Sequence, residues 1–165
     1  MSTKYALVTG ATAGIGLDIA KELASQGKNI ILTARREDRL REISILLKDE
    51  FKVECDYVVA DLAQFSAPDK IYNFCLENNY IVEILVNNAG YSINKKFHET
   101  SEDEEEKFLR VLGIAVIALT KKFIPSMLEH KHGKIMMVSS LASFAPPSSG
   151  WGALYGPVKT FVNRF

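Results

Sequence analysis

Sulfur is scarce in this 165-residue chain. Cys55 and Cys75 are its two cysteines, and neither belongs to a CxxC pair or another metal-ligand cluster. A disulfide framework and a cysteine-built metal site are therefore excluded, and two reduced thiols in a cytoplasmic protein are expected. Net charge is absent too: twenty Lys and Arg balance twenty Asp and Glu. That leaves no electrostatic grip on nucleic acid or an anionic membrane. No apolar run approaches the length of a bilayer span. Tyr5-Ala-Leu-Val8 is too short for a signal-peptide core and runs straight into a glycine turn. Repeats, low-complexity tracts and linkers are missing. What remains is a 47% apolar chain of a length that suits one domain around one core.

Short apolar runs alternate with longer helical patterns from the first residues. Strand-like segments fall at 5–9, 29–33, 54–59, 84–86 and 134–138, with helical patterns at 15–26, 37–50, 68–78 and 102–130. Gly27 punctuates the end of the first helix, and Ser101 with Glu104 makes a capping box for the fourth. Strand–helix alternation predicts an α/β fold, a doubly wound parallel sheet with helices on both faces. The acidic run 102–106 reads as a helix's first turn, where carboxylates favour the positive dipole end, with a partner-binding patch as the other reading. From Tyr155 a further helical pattern carries Val158, Phe161, Val162 and Phe165 to the last residue with no stop signal. Residues 1–165 are thus expected to form a single domain that is incomplete at its C-terminus.

Thr9-Gly10-Ala-Thr12-Ala-Gly14-Ile15-Gly16 follows the first strand and opens a helix. Gly10 permits a sharp turn, Gly14 removes a side chain where a phosphate must approach backbone, and Gly16 allows close helix–strand packing. The free N–H groups at the helix start, with the helix dipole, suit a pyrophosphate. The spacing is GxxxGxG rather than GxGxxG, and glycine-rich turns of this kind also occur for steric reasons alone.

Three further motifs follow in order: Asn87-Asn88-Ala89-Gly90 after the fourth strand, Val138-Ser139-Ser140 after the fifth, and Tyr155-x-x-x-Lys159. With Thr9–Gly16 they make the chain resemble the short-chain dehydrogenase/reductase family over essentially its whole length. Each motif stands at a strand's C-terminal end, where open α/β sheets bind ligands. The resemblance implies a Rossmann-like fold lacking the family's C-terminal strands. It also implies hydride transfer between a nicotinamide cofactor and a small carbonyl or alcohol substrate, with no nucleic-acid or membrane partner. Cofactor contacts would come from Gly10, Thr12, Gly14, Ile15, Gly16, Asp61, Leu62, Asn88, Ala89, Gly90, Tyr155 and Lys159. NAD-binding relatives usually carry an acidic residue where this chain has Ala34. A neutral residue followed by Arg35 leaves room and positive charge for a 2′-phosphate, so NADP(H) is expected over NAD(H). Arg35 and Arg36 as solvated arginines at a helix start is the alternative.

Tyr155 and Lys159 share a helix face. A free phenol has a pKa near 10, and lowering it by about three units takes roughly 4 kcal/mol of preferential phenolate stabilisation. A nearby ammonium and a bound nicotinamide cation can supply that. By resemblance Tyr155 is the general acid/base, Lys159 also holds the nicotinamide ribose, and Ser140, the second serine of its pair, orients the substrate carbonyl. The stretch Pro146-Pro147-Ser148-Ser149-Gly150-Trp151-Gly152 is turn-rich and expected to shape the substrate pocket, with Trp151 either stacking on substrate or simply packing.

Two departures stand out. Counting from anchors on either side, the family's helix asparagine falls on Leu112, which cannot hydrogen-bond a water relay; a shifted register would put Arg110 there. The family's remaining strands are also missing, so strand 134–138 becomes an apolar edge, and the Tyr155 helix is expected to have little to pack against. That helix and its predecessor form the usual dimer bundle, so a homo-oligomer is expected of a full-length form. The rival reading is a non-catalytic dinucleotide-binding fragment.

Overall fold

The structure is a computed structural model that describes residues 3–146 and 152–165. Pro147, Ser148, Ser149, Gly150 and Trp151, expected to shape the substrate pocket, lie outside the described residues. Five parallel strands, β1 (Thr3–Thr9), β2 (Asn29–Ala34), β3 (Cys55–Val59), β4 (Tyr80–Asn87) and β5 (Lys134–Met137), pair in the order β3-β2-β1-β4-β5. Among the described residues, α1 (Gly14–Ser25), α2 (Glu37–Phe51), α3 (Ala67–Glu77), α4 (Glu102–Leu109) and α5 (Ala115–Glu129) lie between the strands, and α6 (Tyr155–Arg164) follows β5. The chain winds outward from β1 to β3, then crosses back to β4 on the other side of β1. That reversal opens a crevice above the carboxyl ends of β1 and β4. The doubly wound α/β fold expected from the alternation is present.

Strand alternation sorts the core into two layers. On one face Tyr5, Leu7, Ile31 and Leu85 pack with Ile71, Phe108, Leu119 and Val158 from α3 to α6. On the other, Ala6, Val8, Ile30, Leu32 and Val86 pack with Ala20, Ala24, Leu40 and Leu47 from α1 and α2. Each layer also holds one free thiol, and burial pushes both Cys55 and Cys75 up to about 12, leaving them protonated and inert. The expected capping box forms, with Ser101 Oγ accepting from the Glu104 amide and the Glu104 carboxylate from the Ser101 amide.

Several boundaries differ from expectation for physical reasons. β4 starts at Tyr80 instead of residue 84, because Glu83, a charge in the sequence, is buried within the strand. Its carboxylate meets Lys28 Nζ at 2.8 Å, His132 Nε2 at 3.4 Å and Lys4 Nζ at 3.8 Å. The expected helix 102–130 is α4 and α5 joined by a five-residue π turn, Arg110–Ile114. This 28-residue unit is long and apolar enough to cross a membrane by length and composition, correcting the expectation that no segment is. Lys121 and Lys122 break the apolar run in the sequence, and half of the apolar window is buried inside the fold.

The apolar stripe of α6 is split as well. Val158 and Val162 are buried, whereas Phe161 and Phe165 stack on each other at 5.9 Å and stay 40% and 55% exposed. β5 is an edge strand as expected, with Met136 46% exposed.

Candidate active site

The glycine turn is shaped by contact on one side and space on the other. Gly10 adopts φ +67°, and a Cβ there would sit 2.9 Å from Ala89 Cα. Gly14 adopts φ +55° with nothing within 4 Å of its missing Cβ, so the amides at the start of α1 are open to a ligand. Ala13, the helix N-cap, contributes no side-chain acceptor, and the first turn carries no acidic residue. Uncapped N–H groups and an unopposed dipole end make this a place for an anion.

Thr9 and Asn88 lock the turn to β4. The Thr9 hydroxyl donates to Val86 O at 3.1 Å and accepts from the Asn88 and Ala89 amides at 2.9 and 3.0 Å. Asn88 Nδ2 in turn donates to Thr9 O at 2.8 Å.

Two hollows lie side by side above the sheet and share Gly10, Ala13, Ala89, Gly90 and Tyr91. One, of about 570 Å³, is walled by Thr12, Thr33, Arg35, Arg36, Asp61 and Leu62. Asp61 is fixed there because its Oδ1 accepts from the Ala63 amide at 3.0 Å, and Arg36 Nη2 donates to the Thr12 hydroxyl at 3.0 Å. Thr33 Oγ1 on this wall is buried and has no hydrogen-bond partner among the described residues. Such an atom costs free energy unless a ligand or water satisfies it.

The other hollow, of about 580 Å³, is walled by Ile15, Gly16, Asn88, Ser139, Ser140, Leu141, Tyr155 and Lys159. Of the residues expected to touch a cofactor or do chemistry, all but Gly14 therefore lie on one of two adjoining walls.

α6 is better seated than its sequence suggests. Lys159 is buried, its Nζ donating to Val138 O at 2.7 Å and lying 5.9 Å from the centre of the Tyr155 ring. Burial lowers the Lys159 pKa from its ordinary value, because desolvation disfavours the ammonium. Ser139 donates to the Lys159 main-chain carbonyl at 3.1 Å, which commits its hydroxyl to structure. Ser140 Oγ accepts from the Ala142 amide at 3.2 Å and keeps its own proton for a ligand. That difference separates the two serines, which the sequence alone does not.

Leu112 sits in the π turn, is 1% exposed, and has its Cγ 3.5 Å from where a Gly90 Cβ would be. It packs beneath the Asn-Ala-Gly turn in the same cluster as Tyr155. Arg110 pairs with Glu106 at 2.7 Å and lies over the Phe65 ring; neither it nor Leu112 lines either hollow, but Leu112 is the one that packs against Gly90 of the site.

The family model described as short chain dehydrogenase matches residues 4–165. The chain belongs to that family. Among short-chain dehydrogenases of known sequence, a human protein named inactive hydroxysteroid dehydrogenase-like protein 1 is 40% identical over 166 residues, covering 98% of this chain and 49% of the relative. The NADP-dependent 3-hydroxy acid dehydrogenase of Escherichia coli K12 is 32% identical over 96% of this chain and 62% of its own. The L-sorbose reductase of Gluconobacter frateurii, solved with NADPH and L-sorbose, superimposes with a TM-score of 0.91 at 30% identity, covering all of this chain and 62% of that one. The chain thus spans about half to three fifths of the length of these short-chain dehydrogenases.

Several wall residues carried no signal in the sequence. Tyr91 borders both hollows, and its ring stands edge-on to Phe108 at 5.4 Å. Lys107 and Thr33 line the first hollow without belonging to any motif.

Proposed function

We propose that this short-chain dehydrogenase is an NADP(H)-dependent oxidoreductase acting on a carbonyl or alcohol, with Tyr155 as the general acid/base. The observation that carries this reading is the placement of Tyr155, Lys159 and Ser140 on a hollow that runs on into the one holding Arg35. The residues present fit a dinucleotide: an open anion site at α1, the unsatisfied Thr33 hydroxyl on the adenosine wall, and Arg35 where Ala34 offers no carboxylate. The NADP dependence of the Escherichia coli relative and the NADPH bound to the sorbose reductase support the same choice.

When bound, the cofactor supplies the hydride chemistry; everything else falls to the chain's own side chains. Gly14 and the amides of α1 would hold the pyrophosphate, Arg35 the 2′-phosphate, and Lys159 the nicotinamide ribose. Ser140 Oγ donates a hydrogen bond to the substrate carbonyl oxygen and fixes its direction. Tyr155 Oη then gives its proton to that oxygen during reduction, or takes it back during oxidation. The Lys159 ammonium stabilises the phenolate left behind. An ammonium made more acidic by burial also returns a proton more readily.

A second reading has a specific observation behind it. The 40% identical human relative is named inactive, and this chain has Leu112 buried against Gly90. A dinucleotide-binding but non-catalytic protein fits both facts. We further assign the outward-facing Ile114, Phe161 and Phe165, exposed by 51%, 40% and 55%, to self-association of the protein.

Thermal unfolding with NADPH and with NADH, followed by ketone reduction by the unmodified chain and Tyr155→Phe, tests these readings. A ligand at a hundred times its Kd adds about 2.7 kcal/mol to stability. NADPH is expected to raise the midpoint more than NADH, and Tyr155→Phe to cut turnover by roughly 100-fold or more while keeping that rise. Binding without turnover in the unmodified chain would select the non-catalytic reading. Indifference to both cofactors would remove the dinucleotide site.

A further inference from the structure

Tyr155 and Lys159 ride on one helix, so their relation is set by helical geometry. Ser140 does not. It follows β5, which among the described residues pairs with β4 alone, and caps a three-residue 3-10 turn, Leu141–Ser143. Apolar anchoring there is meagre: Ala142 is buried, but Leu141 and the following Phe144 are 83% and 74% exposed. Among the described residues, the ties that fix this turn to α6 are hydrogen bonds.

Two such ties bracket Ser140, and both reach the same turn of α6. Before it, Ser139 Oγ donates to Lys159 O at 3.1 Å. After it, Thr160 Oγ1 donates to Ser143 O at 3.0 Å. Ser143 Oγ closes the turn by donating to Ser140 O at 2.6 Å. Gly156 lets the turn approach the helix, since a Cβ there would lie 3.2 Å from Ala142 O. The Thr160 proton also has Gly156 O within 3.0 Å, one turn back on its own helix. A hydroxyl has one proton to give, and the β-branched threonine keeps it within reach of both carbonyls.

We propose that Thr160 is a positioning residue, tying the Leu141–Ser143 turn to α6 and so holding Ser140 in register with Tyr155; the catalytic part of this rests on the oxidoreductase reading above. Thr160 suits a test better than Ser139 because it lines neither hollow. Its loss removes no residue from either wall, and exchange at the Ser143 and Phe144 amides separates an effect through the turn from one through α6 alone. Small misplacements of an orienting group are costly, with about 1 Å worth roughly 100-fold in rate.

The test compares the 165-residue chain with Thr160→Val, which keeps the shape and loses the proton, and Thr160→Ser, which keeps the proton. Three quantities are read: amide hydrogen exchange at Ser143 and Phe144, the NADPH-induced rise in unfolding midpoint, and kcat against KM with a panel of aliphatic and aromatic ketones. The valine variant is expected to exchange at least about tenfold faster at those two amides and to lose about tenfold in kcat, with KM for NADPH and the midpoint rise unchanged. The serine variant restores both. Exchange and kcat within about twofold of the unmodified chain, or a serine variant that behaves like valine, would overturn the proposal. Absence of turnover in an unmodified chain that binds NADPH also overturns the role in catalysis. Failure of NADPH to shift any of the three proteins sinks the cofactor reading instead, which the exchange measurement does not depend on.

Discussion

Gly16→Ala puts the architecture of the glycine turn to its sharpest test. Gly16 is the third residue of α1, and a Cβ there would overlap Asn88 Nδ2 and lie 2.5 Å from Gly10 O. Neither neighbour can retreat cheaply. Gly10 is backbone, held by its amide donating to Thr33 O at 2.9 Å, and Asn88 Nδ2 is donating to Thr9 O at 2.8 Å. Overpacking of this kind costs about 1–3 kcal/mol. Displacing the Asn88 amide forfeits about 1 kcal/mol more. Alanine's better helix propensity returns about 1 kcal/mol. The net cost is roughly 1–3 kcal/mol, and at this chain length each kcal/mol moves the unfolding midpoint by about 2–4 °C.

A fall of roughly 2–12 °C in the midpoint, followed by circular dichroism, is therefore expected for Gly16→Ala. Gly14→Ala is the internal comparison. It meets no atom within 4 Å, so its cost is the left-handed backbone alone, about 1–2 kcal/mol. Its larger effect should appear on ligand binding, as loss of most of the NADPH-induced rise. A Gly16→Ala midpoint within about 1 °C of the unmodified chain would refute the packing argument. Full retention of the NADPH response in Gly14→Ala would refute the assignment of that open space to phosphate.

Arg35→Ala should weaken NADPH binding by roughly 10- to 100-fold, the worth of a charge-assisted hydrogen bond, and leave NADH nearly unchanged; equal losses for both, measured by fluorescence titration, would deny Arg35 the 2′-phosphate. Leu112→Asn exchanges a buried apolar side chain for an amide and should cost roughly 2–5 kcal/mol of stability while raising kcat; unchanged turnover in a folded variant would clear Leu112 of slowing the proton relay. Glu83→Gln is read by the pH dependence of unfolding. Burial alone would raise the Glu83 carboxyl, but Lys28, Lys4 and His132 outweigh it and hold the group below its ordinary value. With the folded value depressed, its stabilisation is full above the unfolded pKa of about 4.3 and is lost as pH falls through the folded value. The glutamine variant should lack that acid-side loss, and identical acid profiles would rule the cluster out as a stabiliser.

What the sequence made legible, and what it hid, divides along a physical line. Element order, the glycine turn and the Tyr155–Lys159 pair were readable because each is local: strands alternate every two residues, helices return every three or four, and phosphate binding demands glycine at fixed offsets. Glu83 defeated that reading because its charge is neutralised by Lys4, Lys28 and His132, each from a different part of the chain. The π turn at Arg110–Ile114 was equally invisible, since no residue in RVLGI forbids an ordinary helix. Leu112 was found by counting from anchors, yet its contact with Gly90, and the outward turn of Arg110 toward Glu106 and Phe65, emerge only in three dimensions. The same division runs through the site itself. Groups that react must be particular residue types, because a phenol, an ammonium or a guanidinium does what no other side chain can. Groups that hold them in place need only a hydroxyl at the right spot, and Thr9, Ser139, Ser143 and Thr160 meet that need with residues common in any sequence. Since a reacting constellation tolerates errors of only about 0.5 Å, the proposed chemistry would depend on these anonymous hydroxyls through the positions they hold.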